Sequence, residues 1–351
     1  MEQLSKDYKR IVIKIGSSLL TSKEALDHVV RQIAELMGQK LQIILVSSGA
    51  IAYGMKMLGL KKRPVKLDQL QAAASLGQSE LMRFYADKFQ TYDIKCAQIL
   101  LTWDDLKDHG RYLNSKNTLE ALLKMGALPI INENDTVSVE EIKFGDNDQL
   151  SALVASLVEA DMLIIMSDVE GLRGLQNKVI KVVPQITSDI EKLARPSDKE
   201  HCVGGMQTKI AAAKITTASN ISCVIVDGKT DNIVKSALSR PDECGTHFWR
   251  KDMGLTARKR WLIFCAKPKG KILVDDGAKK ALLNNKSLLS VGLVKHEGRF
   301  GPGDIVEVAN AKGEIFGRGK INFSSQDLDK VMGKRKMKEV IHKDDLVLME
   351  I

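Results

Sequence analysis

The chain has 351 residues, of which 44% are hydrophobic and 28% are charged, and its formal net charge at pH 7 is +9. This composition excludes a largely disordered chain or a collagen-like repeat, and the length predicts about two domains. The longest apolar runs (43–46, 162–166 and 346–349) are far shorter than the roughly 20 residues that cross a bilayer, so no membrane-spanning helix is expected.

Strand-like and helix-like patterns alternate along the first 240 residues. Short continuous apolar runs, typical of strands buried on both faces, occur at 10–15, 41–46, 97–101, 128–131, 162–166 and 223–226. Apolar residues recur at helical spacing over 26–37 and 150–158. This alternation predicts an α/β fold, with a mainly parallel sheet sandwiched by helices.

The pattern changes after a polar segment that contains Pro241, Gly245 and Gly254. Beyond it, short strands are predicted at 261–265, 271–274, 304–308, 315–320 and 346–351, and short helices at 277–283 and 325–332. We therefore predict a first domain over 1–245, a linker over 246–257 and a small, mostly β domain over 258–351.

The cysteines and histidines carry no metal-binding or disulfide pattern. The cysteines are odd in number and far apart: Cys96, Cys202, Cys223, Cys244 and Cys265. The six histidines lack the spacing of metal ligands. The first ten residues are mostly polar and charged, unlike a secretory signal. These features predict a cytoplasmic protein that has no metal site of its own.

Small-residue turns follow the first two predicted strands. Lys-Ile-Gly-Ser-Ser begins at Lys14, and Ser-Ser-Gly-Ala begins at Ser47 and opens a helix. Ligands bind at this carboxyl edge of open α/β sheets, where backbone N–H groups at a helix N-terminus attract anions. Lys14 interrupts a run of isoleucines. It is either an edge lysine with a buried stem or a cation aimed at phosphate.

Three polar motifs follow later in the chain. Asn-Glu-Asn-Asp at 132–135 and Gly-Asp-Asn-Asp at 145–148 lie close to a strand end or a helix start. Asp and Asn are common helix caps, but two dense clusters exceed what capping requires. They suit hydrogen bonding to the ammonium group of an amino acid, or the positioning of catalytic lysines. Gly-Gly-Met-Gln-Thr-Lys at 204–209 opens a predicted helix and provides another phosphate-binding turn.

In this order, and together with Ser167 and Asp168, these motifs resemble the amino acid kinase family over residues 8–240. The pairing of the two Asn/Asp clusters with Ser-Ser-Gly-Ala-Ile resembles the members that phosphorylate the side chain of glutamate. Residues 258–340 resemble a PUA domain through Arg-Lys-Arg-Trp-Leu at 258–262, Val-Asp-Asp-Gly-Ala at 274–278 and Gly-Pro-Gly-Asp-Ile-Val at 301–306.

The resemblance implies ATP-dependent phosphorylation of the γ-carboxylate of L-glutamate to γ-glutamyl phosphate, the first step of proline biosynthesis. It implies that Mg²⁺ is held mainly by the ATP phosphates. The implied catalytic residues are two phosphate-facing lysines and the acid that holds them: Lys14, Lys209 and Asp148. The implied glutamate-binding residues are Ser48, Asp135, which pairs with the substrate ammonium, and Asn147. The implied ATP-binding residues are Lys14, Gly16, Ser167, Asp168, Gly204, Gly205, Met206 and Lys209.

The resemblance also implies several partners. These are a second copy of the chain in a dimer or tetramer, and proline as a feedback inhibitor that overlaps the glutamate site near 60–66. Residues 258–351 contain 20 Lys and Arg against 12 Asp and Glu, so most of the positive excess lies there. That charge permits RNA binding by the PUA-like region, with the basic segment at 333–338 as the candidate.

Two alternatives stay open on the sequence. The first is a kinase of another acceptor with the same fold, such as acetylglutamate, aspartate, carbamate or UMP, although the acidic 132–148 region disfavours UMP. The second is an RNA-associated regulator, which is disfavoured because the aromatic residues after 258 lie in strand patterns. After Leu172 the chain reads Arg-Gly-Leu-Gln-Asn-Lys, where the family usually has Tyr-Thr-Ala-Asp-Pro-Arg, so a difference is expected on the nucleotide side.

Overall fold

A computed structural model describes residues 8–21, 23–138, 147–194, 205–251, 254–332 and 339–349. The chain divides into two compact units. The first comprises Met1–Leu106 and Gly110–Met253, and the second comprises Lys107–His109 and Gly254–Ile351.

The first unit is built on an eight-stranded sheet. Its strands are β1 (Arg10–Ile15), β2 (Gln42–Ser47), β3 (Cys96–Leu101), β4 (Leu128–Glu133), β5 (Met162–Ser167), β6 (Val182–Val183), β7 (Ser222–Asp227) and β8 (Thr246–Phe248). They lie in the order β3-β4-β2-β1-β5-β7-β8-β6. Every neighbouring pair is parallel except β7 and β8. The predicted mainly parallel α/β fold is confirmed.

Helices alternate with these strands along the described part of 8–251. They are α1 (Lys23–Gly38), α2 (Ala50–Met57), α3 (Leu67–Gln90), α4 (Trp103–Lys107), α5 (His109–Lys124), α6 (Asn147–Leu157), α7 (Ser188–Lys192), α8 (Met206–Ala218) and α9 (Ile233–Ser239). Helix α1 contains the first helical pattern read from the sequence, and α6 covers the second except for its last residue, Val158. Helix α3, which has 24 residues, was not predicted.

The central strand β1 is covered on both faces. Ile11, Ile13 and Ile15 are fully buried in a core that α1 and α9 share. Because side chains alternate along a strand, Lys14 points to the opposite face. Helix α6 lies there, and nearly all of its side chains are buried. A lysine in a strand with no exposed face therefore has to be matched by a polar partner from α6.

The second unit is small and mostly β, as predicted. Its strands are β9 (Gly270–Val274), β10 (Leu288–Leu289), β11 (Leu293–Gly298), β12 (Ile305–Ala309), β13 (Ile315–Lys320), β14 (Glu339–Ile341) and β15 (Leu346–Leu348). Five form a sheet in the order β11-β9-β12-β13-β15, and β10 pairs with β14. Its described helices are α10 (Ala257–Phe264), α11 (Asp276–Leu283) and α12 (Ser325–Val331).

The prediction of a strand at 261–265 is wrong, because these residues lie in and just after helix α10. The hydroxyl of Thr256 caps this helix by accepting a hydrogen bond from the backbone N–H of Lys259. Trp261, Leu262 and Cys265 are buried, which is the spacing of a single helix face. A short apolar run in the sequence does not distinguish a strand from a buried helix turn, since both bury the same residue types.

No helix among the described residues is long and apolar enough to cross a membrane. The four cysteines in the described ranges, Cys96, Cys223, Cys244 and Cys265, are free thiols. The described ranges also contain no cluster of three or more potential metal ligands.

Candidate active site

Four parallel strands bring polar side chains to one edge of the sheet. Strands β4, β2, β1 and β5 are neighbours, so their carboxyl ends meet at the same edge. Lys14 is the penultimate residue of β1, Ser47 ends β2, and Ser167 ends β5. Asn132 and Glu133 form the last two positions of β4, whereas the sequence pattern placed them after the strand. Helix α6 begins over this edge.

A buried carboxylate lies between two lysines at the centre of the site. The Nζ of Lys14 is 2.7 Å from Oδ1 of Asp148, and the Nζ of Lys209 is 3.0 Å from Oδ2. The side chain of Asp148 is only 2% exposed. Burial by itself raises the pKa of this carboxyl, but the two ammonium groups outweigh it and hold the pKa well below its usual range. The group therefore stays ionised at any working pH.

Two helix N-termini support this arrangement. Asp148 lies in the first turn of α6, where the helix dipole favours a negative charge. Lys209 lies in the first turn of α8, which begins after Gly205. The hydroxyl of Thr208, beside Lys209 in sequence, lies 2.8 Å from Oδ2 of Asp148. The carboxylate, carried by α6, thus has partners from β1 and α8, which hold the two lysines at a common point.

The side-chain amide of Asn147 connects the strand ends. Its Nδ2 donates to the backbone carbonyl of Ser47 at 2.7 Å, to Oγ of Ser48 at 3.0 Å and to Oδ1 of Asn132 at 2.9 Å. Since a backbone carbonyl only accepts, the orientation of the Asn147 amide is determined by this contact. The structure therefore brings Ser48 and Asn147, two residues expected to bind the acceptor, into direct contact.

Asp135 lies in the turn that follows β4 and is half-buried. Burial raises the pKa of its carboxyl to about 6, against the opposing effect of the Arg63 guanidinium. Burial in turn lowers the pKa of Arg63. Burial disfavours the charged form of this carboxyl, and a nearby cation such as Arg63 stabilises it.

The residues expected on the nucleotide side lie at the ends of β1 and β5 and before α8. Ser167 ends β5 and precedes Asp168, and the backbone N–H of Gly16 donates to the carbonyl of Met166 at 3.2 Å. Gly205 caps α8, of which Met206 is the first residue. Gly204 lies outside the described residues.

The segment that departs from the family pattern forms a tight turn. Arg173 pairs with Val179 in an antiparallel bridge. Between them, the N–H of Gly174 donates to the carbonyl of Lys178 at 2.9 Å, and Asn177 adopts a positive φ of 58°. Asparagine tolerates this conformation better than most residues, which suits a short connection.

For several residues of the site, the sequence analysis predicted no individual role. Asn132 and Thr208 are inside motifs that the sequence displayed, but nothing in the residue order showed which of their neighbours they contact. Gln78 and Tyr85 lie on α3. The Oε1 of Gln78 accepts from Nδ2 of Asn132 at 2.8 Å, and the hydroxyl of Tyr85 lies 2.8 Å from Oγ of Ser47.

The amino acid kinase family matches residues 9–227, which is well over half of the chain. This chain belongs to the amino acid kinase family. A PUA domain matches residues 270–343 of this amino acid kinase. Both resemblances read from the sequence motifs are confirmed.

This amino acid kinase is similar over nearly its full length to proteins named glutamate 5-kinase. The one from Caldanaerobacter subterraneus subsp. tengcongensis is 44% identical, with 97% of this chain and 98% of the relative covered. The one from Pelagibacter ubique is also 44% identical, with 97% and 99% covered. The one from Citrifermentans bemidjiense is 42% identical, with 99% and 100% covered.

Proposed function

We propose that this amino acid kinase transfers the γ-phosphoryl group of ATP to the γ-carboxylate of L-glutamate, forming γ-glutamyl phosphate and ADP. The observation that carries the proposal is the convergence of Lys14 and Lys209 on the buried carboxylate of Asp148 at the carboxyl edge of the sheet. The names of the relatives, at 42–44% identity over nearly the whole chain, support glutamate as the acceptor.

The two lysines supply positive charge where the transferred group gains negative charge. Phosphoryl transfer requires little covalent work from the protein, so positioning and charge stabilisation dominate. Asp148 holds both ammonium groups at one point without being consumed. It accepts no proton from the substrate, because the γ-carboxylate of glutamate, with a pKa of about 4.3, is already ionised near neutral pH.

The acceptor lies on the β2 and β4 side of the lysines in this proposal. Ser48 and the amide of Asn147 bind the substrate through hydrogen bonds. Asp135 binds the α-ammonium group, since it is a half-buried carboxylate in the turn that follows β4. The γ-carboxylate then faces Lys14 and Lys209.

ATP and Mg²⁺ occupy the other side of the lysines. The backbone N–H groups at the start of α8, after Gly205, suit a phosphate. Both carboxylate oxygens of Asp148 already contact lysine ammonium groups, which fits a metal ion held by the ATP phosphates rather than by this side chain. When bound, Mg²⁺ neutralises phosphate charge during transfer.

The deciding experiment is ADP release from Mg·ATP with glutamate, aspartate, acetylglutamate or UMP as the acceptor, and with hydroxylamine present to trap an acyl phosphate. We expect glutamate-dependent ADP release and an equal amount of γ-glutamyl hydroxamate. Turnover with a different acceptor would overturn the assignment of Asp135 and Asn147. ADP release without hydroxamate would overturn the carboxyl phosphate as the product.

The remaining partners stay predictions. Proline is proposed as an inhibitor that competes with glutamate, so saturating glutamate is expected to relieve its effect. A dimer or tetramer is proposed from the family resemblance, and a cytoplasmic location is proposed from the odd number of widely spaced cysteines and the polar first residues. RNA binding was assigned to the basic segment 333–338, which lies outside the described residues.

A further inference from the structure

Two glutamines on one face of α3 bracket the segment that contains Asp135. Gln71 and Gln78 are seven residues apart, which is two helical turns, so their side chains share a face. The Nε2 of Gln71 donates to the backbone carbonyl of Ser138 at 3.2 Å. The Oε1 of Gln78 accepts from Nδ2 of Asn132 at 2.8 Å. Helix α3 thus holds both ends of residues 132–138.

The two glutamines have opposite hydrogen-bonding roles. The carbonyl of Ser138 can only accept, so Gln71 must be the donor. At the other end, Oδ1 of Asn132 accepts from the backbone N–H of Glu133 at 2.9 Å, so Nδ2 of Asn132 faces Gln78. Gln78 must therefore present its oxygen. Backbone groups determine both amide orientations, so neither depends on a choice between amide nitrogen and oxygen.

The contact of Gln78 extends to the acceptor side of the site. The same Oδ1 of Asn132 accepts from Nδ2 of Asn147, whose amide also donates to Oγ of Ser48. Gln78, Asn132 and Asn147 form a relay in which each amide orients the next. Reversal of one amide would place two donors or two acceptors face to face.

Helix α3 can fix the positions of these three amides because close packing against α2 fixes its own position. A Cβ on Gly54 of α2 would lie 1.7 Å from the carbonyl oxygen of Ala73, and a Cβ on Gly77 would lie 1.8 Å from that of Ala50. The two helix backbones therefore touch. The buried Tyr85 adds a contact from α3 to Ser47 at the end of β2.

We propose that Gln71 and Gln78 are positioning residues for the amino acid acceptor, Gln71 as a hydrogen-bond donor and Gln78 as a hydrogen-bond acceptor. They determine where residues 132–138 and the Asn147 amide lie. The inference rests on the proposed function, because it assigns the acceptor to these residues. Lys14 and Lys209 are not members of the relay, so the effect falls on the acceptor and not on ATP.

The test uses methionine and glutamate substitutions at both glutamines. Gln71→Met and Gln78→Met remove the hydrogen bond at similar side-chain size. Gln78→Glu keeps an oxygen for Asn132, whereas Gln71→Glu places a carboxylate against the Ser138 carbonyl. Gln69→Glu adds the same charge at an exposed position of α3 and is the matched control.

We expect both methionine variants to raise KM for glutamate by about 3- to 10-fold, with KM for ATP unchanged within about twofold. Gln78→Glu is expected to stay within about twofold of the unaltered protein, as is Gln69→Glu, because the acceptor oxygen is kept. Gln71→Glu is expected to be at least as impaired as Gln71→Met. This opposite response to the same substitution is not expected from glutamines that only fill space.

Equal impairment of Gln71→Glu and Gln78→Glu, or an unchanged KM for glutamate in all four variants, would overturn the inference. Thermal unfolding of each variant shows whether it is folded, and if the methionine variants do not fold, the two glutamate variants decide. If the unaltered protein does not turn over glutamate, the proposed function fails and this inference fails with it. If it does and the variants do not differ, only this inference fails.

Discussion

Asp148 shows how one buried side chain organises the charges of the candidate site. An isolated buried carboxylate is costly, and it would take up a proton to avoid the charge. Here the two lysine ammonium groups keep it ionised and are themselves held by it. Loss of Asp148 would leave two buried ammonium groups without a counter-ion, which costs more than the ion pairs themselves contribute. Substitution of Asp148 is therefore expected to have a large effect.

The first prediction concerns Lys209→Ala. The ammonium group of Lys209 is proposed to stabilise charge that develops only during transfer, so kcat is expected to fall at least about 100-fold while KM for glutamate changes only a few-fold. Steady-state ADP release measures both. Lys214→Ala, on an exposed position of the same helix, is the control and is expected to be nearly unaltered. A variant that keeps kcat but loses glutamate affinity would contradict the catalytic role.

The second prediction concerns pH and Asp135. Its raised pKa of about 6 means that the carboxyl is charged above that pH and protonated below it. Because the charged form is proposed to bind the substrate ammonium, kcat/KM for glutamate is expected to fall as the pH drops from 7 to 5. Well below the pKa, kcat/KM for glutamate is expected to fall by nearly tenfold for each pH unit.

Asp135→Asn is the control for this pH dependence. It is expected to have a low kcat/KM that changes little between pH 5 and 7, since the titrating group is gone. A wild-type profile that stays flat across this range, or a variant that keeps the same decline, would show that another group titrates.

At the scale of elements, the contact between α2 and α3 supports the proposed acceptor side of the site. Helix α2 begins directly after Ser48 and Gly49, and α3 carries Gln78 and Tyr85. The helices approach so closely that the positions of Gly54 and Gly77 have no room for a side chain. Glycine is required here for close approach, although it is unfavourable in a helix interior.

The third prediction is that Gly54→Ala lowers the free energy of unfolding by about 1–3 kcal/mol and raises KM for glutamate. The added methyl group would collide with the backbone at Ala73 and push α3 away from α2. Gly38→Ala, at the end of α1 with nothing near its Cβ position, is the matched control. Urea unfolding of both variants checks the prediction. Equal stability of the two would show that the helices separate at little cost.

At the scale of the whole molecule, chemistry and charge are divided between the two units. The described site residues all belong to the first unit, whereas most of the positive excess belongs to residues 258–351. The second unit has its own core, which includes Ile272, Val308 and Phe316. A unit with its own core folds largely on its own.

The fourth prediction is that a chain ending at residue 253 keeps glutamate-dependent ADP release, with kcat/KM within about tenfold of that of the full chain. All the residues assigned to phosphoryl transfer and glutamate binding remain in it. Circular dichroism and thermal unfolding verify that the shortened chain is folded. A folded but inactive fragment would show that the second unit is required for the reaction.

The sequence alone indicated strands β1 to β5 and β7 of the first sheet and the side chains at their ends. It did not predict β6, and β8 lies in the segment 246–257 that was expected to be a linker. A continuous β-branched run such as 10–15 is recognised from residues that are neighbours along the chain. The local pattern is therefore sufficient to predict such a strand. The carboxyl ends of adjacent parallel strands must meet. The motifs at Lys14, Ser48 and Asn132 therefore indicated a common site before any distance was known.

Only the tertiary structure decided which of these side chains touch and what holds them. Gln78 contacts Asn132 across 54 positions in sequence, from a helix whose pattern gave no prediction. The raised pKa of Asp135 arises from burial. Residues 261–265, predicted as a strand, lie in and just after a helix that is stabilised by its cap and its packing. Local patterns encode period and polarity, whereas burial and hydrogen-bond partners depend on residues that are distant in the chain.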